Sequence, residues 1–184
     1  NGATAEDARR KARGEVVERH AAASMPGGGF ARARIDDLDG KVIEPNSIQL
    51  FGPEQVRDRV SFNAMVGGFH HIPEPFDPSQ SIEWCIARSL GSGPDAWVPA
   101  GLVQMRHPDP NAGRFFKADS VGCAAGPTLN GAILRALLEL IERDAFALWW
   151  YGRCPLPDGD VDPGTADLHE RVKRWLEGRG RDLR

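Results

Sequence analysis

Residues 120–153, SVGCAAGPTLNGAILRALLELIERDAFALWWYGR, join a glycine-rich turn to the strongest helical pattern in the chain. From Ala132 to Tyr151 apolar residues recur at Leu134, Leu138, Ile141, Ala145 and Leu148, and a second row of Ile133, Ala136, Leu137 and Leu140 flanks them. Spacings of three and four are those of a packed helical face. Between the two rows Arg135, Glu139, Glu142 and Arg143 form one narrow polar stripe. Carboxylates bordered by core residues are expensive to desolvate unless a positive group meets them, so the stripe calls for a cation or an arginine partner. Glu139 and Arg143 stand four apart and can equally pair with each other, which is the simpler account of this helix taken alone.

At 184 residues the chain has the length of one ordinary domain with its own core. It opens at Asn1, and its last helical stretch, Ala166 to Glu177, runs into GRGRDLR without a closing element, so both ends read as cuts in something longer. A net charge of −3 supplies no basic field for nucleic acid or an anionic membrane. No apolar run approaches a membrane span and no signal segment is visible, which predicts a soluble, cytoplasmic protein. The three cysteines, Cys85, Cys123 and Cys154, are far apart and lack C-x-x-C spacing. They indicate neither a disulfide framework nor a zinc ribbon and fit a reducing cytosol.

Taken in order, the chain starts a helix at Thr4, with Asp7 three residues on in capping-box fashion, and stops it at Met25-Pro26-Gly27-Gly28-Gly29. Within it Glu15, Glu18 and Arg19 repeat the E-x-x-E-R spacing of Glu139, Glu142 and Arg143. Two such helices facing one another would gather four carboxylates, hard oxygen donors that suit Mg²⁺, and two arginines that suit phosphate. Two unrelated salt-bridged helices explain the same letters about as well, since only three residues are fixed in each copy. Phe30 to Ile35 and Lys41 to Glu44 flank Asp37-Leu38-Asp39-Gly40 as a hairpin, and the acidic run fails the spacing of a calcium loop. Ser81 to Leu90 and Ala96 to Met105 read as an antiparallel pair turning through Gly91 to Asp95, with Trp84 and Trp97 in the core or on the sheet face. His70-His71 reads as a solvent-facing pair without a third metal ligand, and residues 105–110 as a polar loop with no functional signal. Gly122 and Gly126 bracket small residues at a helix start able to face an anion. No Walker lysine is present, and Cys123 has no histidine placed to serve it, so it reads as structural.

The segment DSVGCAAGPT…AILRALLELIERDAFALWWYGR resembles the central motif of the YcaO family, in particular the members that install azoline rings in ribosomal peptides. GEVVERH resembles the first acidic helix of that family, GKVIEP the following strand, and IEWCIARSL with WVPA its central hairpin. The resemblance implies an α+β fold, mixed and largely antiparallel sheets flanked by helices, in which two similar acidic helices face one ATP site. Residues 1–184 would be a YcaO-like ATP-binding domain, incomplete because the family's C-terminal portion has no counterpart here. Carried over by position, Glu15, Glu139 and Glu142 would bind Mg²⁺, and Glu18, Arg19 and Arg143 would contact ATP, as would Ser120 from the strand before the turn. The implied reaction is attack by a Cys, Ser or Thr side chain of a precursor peptide on the preceding backbone carbonyl, with ATP-dependent phosphorylation of the amide oxygen; relatives make thioamides or amidines. Implied partners are the precursor peptide, a leader-binding E1-like protein and a flavin dehydrogenase, with a homo-oligomer allowed. The family usually places a serine where this chain has Lys11 and an acid where it has Gly131. Those two departures favour a second reading, a scaffold in a peptide-modifying complex without productive ATP binding.

Overall fold

The computed structural model describes residues 4–24, 29–153, 155 and 163–180. The chain divides into two compact units, residues 1–141 and 142–184. The first opens with α1 (Ala5–Ala23), whose start is the one the sequence predicts, with Thr4 Oγ1 accepting the Asp7 N–H at 3.1 Å. Its last turn is closed by Ser24, whose backbone N–H and hydroxyl both donate to the His20 carbonyl. The predicted stop at Met25 to Gly28 lies outside the described residues.

Four short strands form one mixed sheet in the order β1 (Ala31–Ala33), β3 (Ile82–Ala87), β4 (Ala96–Pro99), β2 (Lys41–Val42). The β3–β4 pair is antiparallel, with Cys85 opposite Val98 and Ile86 opposite Trp97. Its turn is held by Asp95, whose carboxylate accepts the Ser89 N–H at 2.8 Å. The fourth strand is shorter than Ala96 to Met105. It ends at Pro99, and Ala100–Val103 is a helical turn, α4, because two small residues there pack closely on α5 (Pro110–Phe115). A Cβ on Gly101 would stand 2.7 Å from the Ala112 Cβ, so only glycine fits that approach.

The hairpin predicted across Asp37 to Gly40 does not form. Ile35–Asp37 is a 3₁₀ turn, β1 pairs antiparallel with β3, and β2 pairs parallel with β4 on the far edge. Strands of three and two residues cannot sustain a hairpin alone, and each instead flanks the stronger central pair. Trp97 fixes that arrangement by donating Nε1–H to the Asp39 carbonyl at 2.9 Å.

The core is aromatic. Phe76, Ile82, Trp84, Phe115 and Phe116 are buried together, with Phe76 edge-on to both Trp84 and Phe115. Burial of each such side chain contributes roughly 1.5–3 kcal/mol, and Trp84 keeps its one polar group satisfied by donating to the Ala33 carbonyl. Loop backbone is tied down by amide side chains of α2 (Pro45–Gln49) and α3 (Pro53–Met65). Asn46 brackets Phe76, donating to its carbonyl and accepting its N–H, and Asn63 does the same for Ile72.

Helix α6 (Leu129–Gly152) forms over the predicted span and belongs to the first unit as far as Ile141. Its apolar rows are not the packed face that their spacing predicts: none of its residues is buried, and Leu134 and Ile141 are 57% and 64% exposed. The aromatic core is filled by other elements; among the described residues the turn at Gly122 approaches Leu140, while Leu134, Leu138 and Ile141 stay more than half exposed. In the second unit, Phe146, Trp149 and Trp150 pack ring to ring along the end of α6. Helix α7 (Ala166–Glu177) carries an apolar stripe of Leu168, Val172 and Trp175, with Arg179 stacked over Trp175 at 3.9 Å. Among the described residues no helix is long and apolar enough to cross a membrane.

Candidate functional site

The glycine turn and the two acidic helices do meet. Residues 120–126 lie against the start of α6, and two glycines set the distance. A Cβ on Gly126 would fall 2.7 Å from the Ala132 nitrogen, and one on Gly122 would touch Leu140 at 3.3 Å; Gly122 also has φ +82. Ser120 sits in the bend that opens this turn, accepting the Cys123 N–H at 3.0 Å, and not on a strand as predicted. The polar run Lys117 to Ser120 contains no strand former that could compete with the turn hydrogen bonds, such as Asp119 Oδ1 accepting the Val121 N–H.

Both acidic helices hold the turn. Glu18, on α1, accepts the Ala125 N–H at 3.2 Å, and Arg135, on α6, donates to the Ala125 carbonyl at 2.7 Å. One residue, Ala125, is therefore clamped between a carboxylate from the first helix, on its N–H, and a guanidinium from the second, on its carbonyl. The α6 start is capped by Thr128, whose Oγ1 accepts the Gly131 N–H at 3.1 Å. Glycine at that position leaves the box without the carboxylate that would return to the cap. Lys11, four residues before Glu15, is paired with Asp7 at 3.1 Å.

Among the predicted ligands, Glu15 is engaged with Arg19 along α1 at 2.8 Å, raising the guanidinium pKa through that hydrogen bond and charge. Glu139 faces the turn from α6: burial first, then the charges of Glu18, Glu139 and Asp119, push the Cys123 thiol above its ordinary value. Carboxylates from two helices thus act on one small volume beside Cys123. Glu142 and Arg143 follow on the same helix, within the second unit. Among the described residues no three His, Cys, Asp or Glu side chains are already gathered at metal-binding distance. The donor chemistry nonetheless fits a hard cation, since the carboxylates of Glu18, Glu139 and Asp119 all act on Cys123, and Mg²⁺ needs only one or two of these when phosphate and water complete its shell.

A second polar cluster escaped the sequence reading. Asp109, nearly buried, caps α5 by accepting the Asn111 N–H and binds Arg32 of β1 at 2.6 Å. His107 accepts the Asp109 N–H at Nδ1, so Nε2 carries the proton of the neutral ring, and Nε2 lies 3.1 Å from Glu83 but off the hydrogen-bonding line. Gln104 and Met105 bond the end of α1 through the Ala23 and Ala22 carbonyls. Partners 77 and 81 residues apart leave no local signal. The X-Asp-Pro cap at Asp109 was readable, and only the half-exposed arginine opposite it was not.

The model of a family described as YcaO cyclodehydratase, ATP- and Mg²⁺-binding, matches residues 1–183. A solved heterocyclase in complex with substrate and cofactor is 33% identical with TM-score 0.87, covering 98% of this chain and 24% of that one. The heterocyclase TruD is 32% identical with TM-score 0.78, covering 96% of this chain and 26% of that one. An uncharacterized protein of Methanothermobacter thermautotrophicus is 29% identical over 168 residues, 91% of this chain and 38% of its own length. The chain therefore spans about a quarter to two fifths of these relatives.

Proposed function

The chain belongs to the YcaO family, and we propose that residues 1–184 are an incomplete ATP- and Mg²⁺-binding domain of a cyclodehydratase that forms azolines at Cys, Ser or Thr of a ribosomal precursor peptide. The observation that carries this reading is the clamp on Ala125: Glu18 and Arg135 tie the two acidic helices to one glycine turn, which is what a phosphate site built without a Walker loop needs. Glu15, Glu139 and Glu142 are the proposed Mg²⁺ ligands. Glu18, Arg19, Arg143 and Ser120 are the proposed nucleotide contacts, Glu18 also holding the turn. The bound nucleotide would supply the phosphoryl group that makes an amide oxygen a good leaving group. The residues of this chain then contribute by holding phosphate charge in place, with the arginines as forks.

The same reading assigns the domain to the cytoplasm, with the precursor peptide as substrate and an E1-like leader-binding protein and a flavin dehydrogenase as partners. The heterocyclase solved with its substrate supports a peptide ligand. A specific observation favours the second reading, a scaffold without productive ATP binding: Gly131 leaves the α6 cap half made and removes a carboxylate from the turn.

Calorimetric titration of Mg·ATP into the chain separates the two. Saturable binding that Glu142→Gln abolishes while the far-ultraviolet spectrum is unchanged supports the enzyme. A folded chain of natural full length that shows no heat with Mg·ATP rejects it and leaves the scaffold.

A further inference from the structure

Three ties lay the glycine turn along α6. A Cβ on Gly126 would fall 2.7 Å from the Ala132 nitrogen, Arg135 Nη1 donates to the Ala125 carbonyl at 2.7 Å, and a Cβ on Gly122 would meet Leu140 at 3.3 Å. As the turn runs back from 126 to 122 the helix runs forward from 132 to 140, so the segment lies antiparallel to α6. Eight helical residues rise about 12 Å, and four residues of chain span that length only when almost fully extended, at ~3.3 Å each. The segment is a strap.

The burial of α6 follows the strap. Ala132, Ala136 and Glu139, spaced by four and three, share one face, and all three are half-buried, whereas Leu134, Leu138 and Ile141 are more than half exposed. Glu139 is the charged member of the covered stripe, and it lies close enough to Cys123 for its charge, after burial and Glu18, to raise the pKa of the strap's thiol. The Cys123 N–H donates to the Ser120 carbonyl at 3.0 Å, so the placement of Ser120 follows that of the strap. Ala125 is the fixed point. Glu18 accepts its N–H at 3.2 Å and Arg135 holds its carbonyl, so the residue cannot turn without breaking one of the two bonds. Arg135 is exposed and reaches back ten residues to make its bond. A charged donor makes that bond stronger than one between neutral groups.

We propose that Arg135 is a positioning residue of the Mg·ATP site: its bond to the Ala125 carbonyl holds the strap along Glu139 and so fixes Ser120 relative to that carboxylate. The proposal rests on the ATP-binding reading above. It gives a role in affinity to the one member of the polar stripe that is not itself a proposed ligand.

The test pairs Mg·ATP calorimetry with amide hydrogen exchange, the exchange recorded without nucleotide. Arg135→Met removes the donor and keeps a straight, helix-forming side chain. Exchange in a peptide covering residues 120–128 should quicken about fivefold, the factor one net hydrogen bond carries, while peptides from β3 and the urea midpoint stay where they were. Mg·ATP should bind about tenfold more weakly, because the groups on the strap are no longer held in place. Arg135→Lys, which keeps a charged donor, should recover part of both changes. An Arg135→Met variant that loses Mg·ATP with unchanged exchange at 120–128 would make Arg135 a direct nucleotide ligand and overturns the proposal. So does faster exchange with undiminished Mg·ATP binding, which would make the bond a structural tie alone. A folded wild-type chain that binds no Mg·ATP rejects the proposed function and this proposal with it, whereas a wild-type chain and an Arg135→Met variant that bind equally reject the proposal only.

Discussion

Cys123 is a reporter of the charge around it. Burial first, and then the carboxylates of Glu18, Glu139 and Asp119, raise its pKa, so the thiol is protonated and sluggish at neutral pH. Replacing Glu18 by Gln keeps an acceptor for the Ala125 N–H but removes a negative charge, which lowers the thiol pKa and enlarges the thiolate fraction. Alkylation of Cys123 by iodoacetamide near pH 8, followed by peptide mass spectrometry, should then quicken by about two- to threefold. Cys85, raised by burial alone, should keep its rate and serves as the internal reference. Saturating Mg²⁺ without nucleotide should act in the same direction on Cys123 in the wild-type chain. An unchanged rate with Mg²⁺ would place the cation away from Glu18 and Glu139. Asp109 carries a different kind of weight, because its carboxylate is 5% exposed and serves both Arg32 and the α5 cap. Asp109→Ala should lower stability by about 1–2 kcal/mol in urea titrations, since it loses a partly screened ion pair and leaves a helix uncapped. Asp109→Asn, which keeps the cap acceptor, should lose less.

At the scale of elements, the turn and α6 depend on two glycines in opposite ways. Gly126→Ala forces a Cβ into the backbone of Gly131 and Ala132, at 3.0 Å or less from two of its atoms, and no side-chain rotation relieves that. A loss of about 1–3 kcal/mol is expected, with weaker Mg·ATP binding because the clamp on Ala125 moves. At Gly131 the nearest atom to a new Cβ is the Thr128 hydroxyl at 3.1 Å, a contact relieved by a small shift that keeps its bond to the residue 131 N–H. Gly131→Glu should stabilise the chain by about 1 kcal/mol, read as a higher urea midpoint, by helix propensity and a completed capping box. These effects were partly visible in the letters. Thr4 with Asp7, the Gly91 to Asp95 turn and the span of α6 were legible because each is decided by contacts a few residues apart. The Asp37 to Gly40 hairpin was misread because its turn signal is local, whereas the pairing is decided by the β3–β4 strands some 40 residues later. The clamp on Ala125 was legible only as two matching motifs; that Glu18 grips the turn backbone, 107 residues away, follows from packing.

At the scale of the whole molecule, the composition of α6 and its surroundings disagree. A helix apolar on most of its circumference belongs in an interior, yet Leu138, Phe146, Leu148 and Trp150 are all more than half exposed. The stripe of α7 is uncovered as well, with Trp175 57% exposed. The mismatch explains why the periodicity predicted the helix correctly and its burial wrongly: period is a property of the segment, burial of whatever packs on it. The relatives that contain this fold are some two and a half to four times as long, the chain covering 38% and 24% of two of them. Apolar surface of this extent binds hydrophobic dyes and drives association. The 184-residue chain alone should therefore enhance and blue-shift anilinonaphthalene sulfonate fluorescence and show a mass above the monomer in light scattering that grows with concentration. Leu138→Lys with Leu148→Lys, both on the surface, should reduce both signals without lowering the urea midpoint. A monodisperse, dye-silent wild-type chain would mean that these rows are covered in solution by contacts of its own, and the lysine pair would then unfold it.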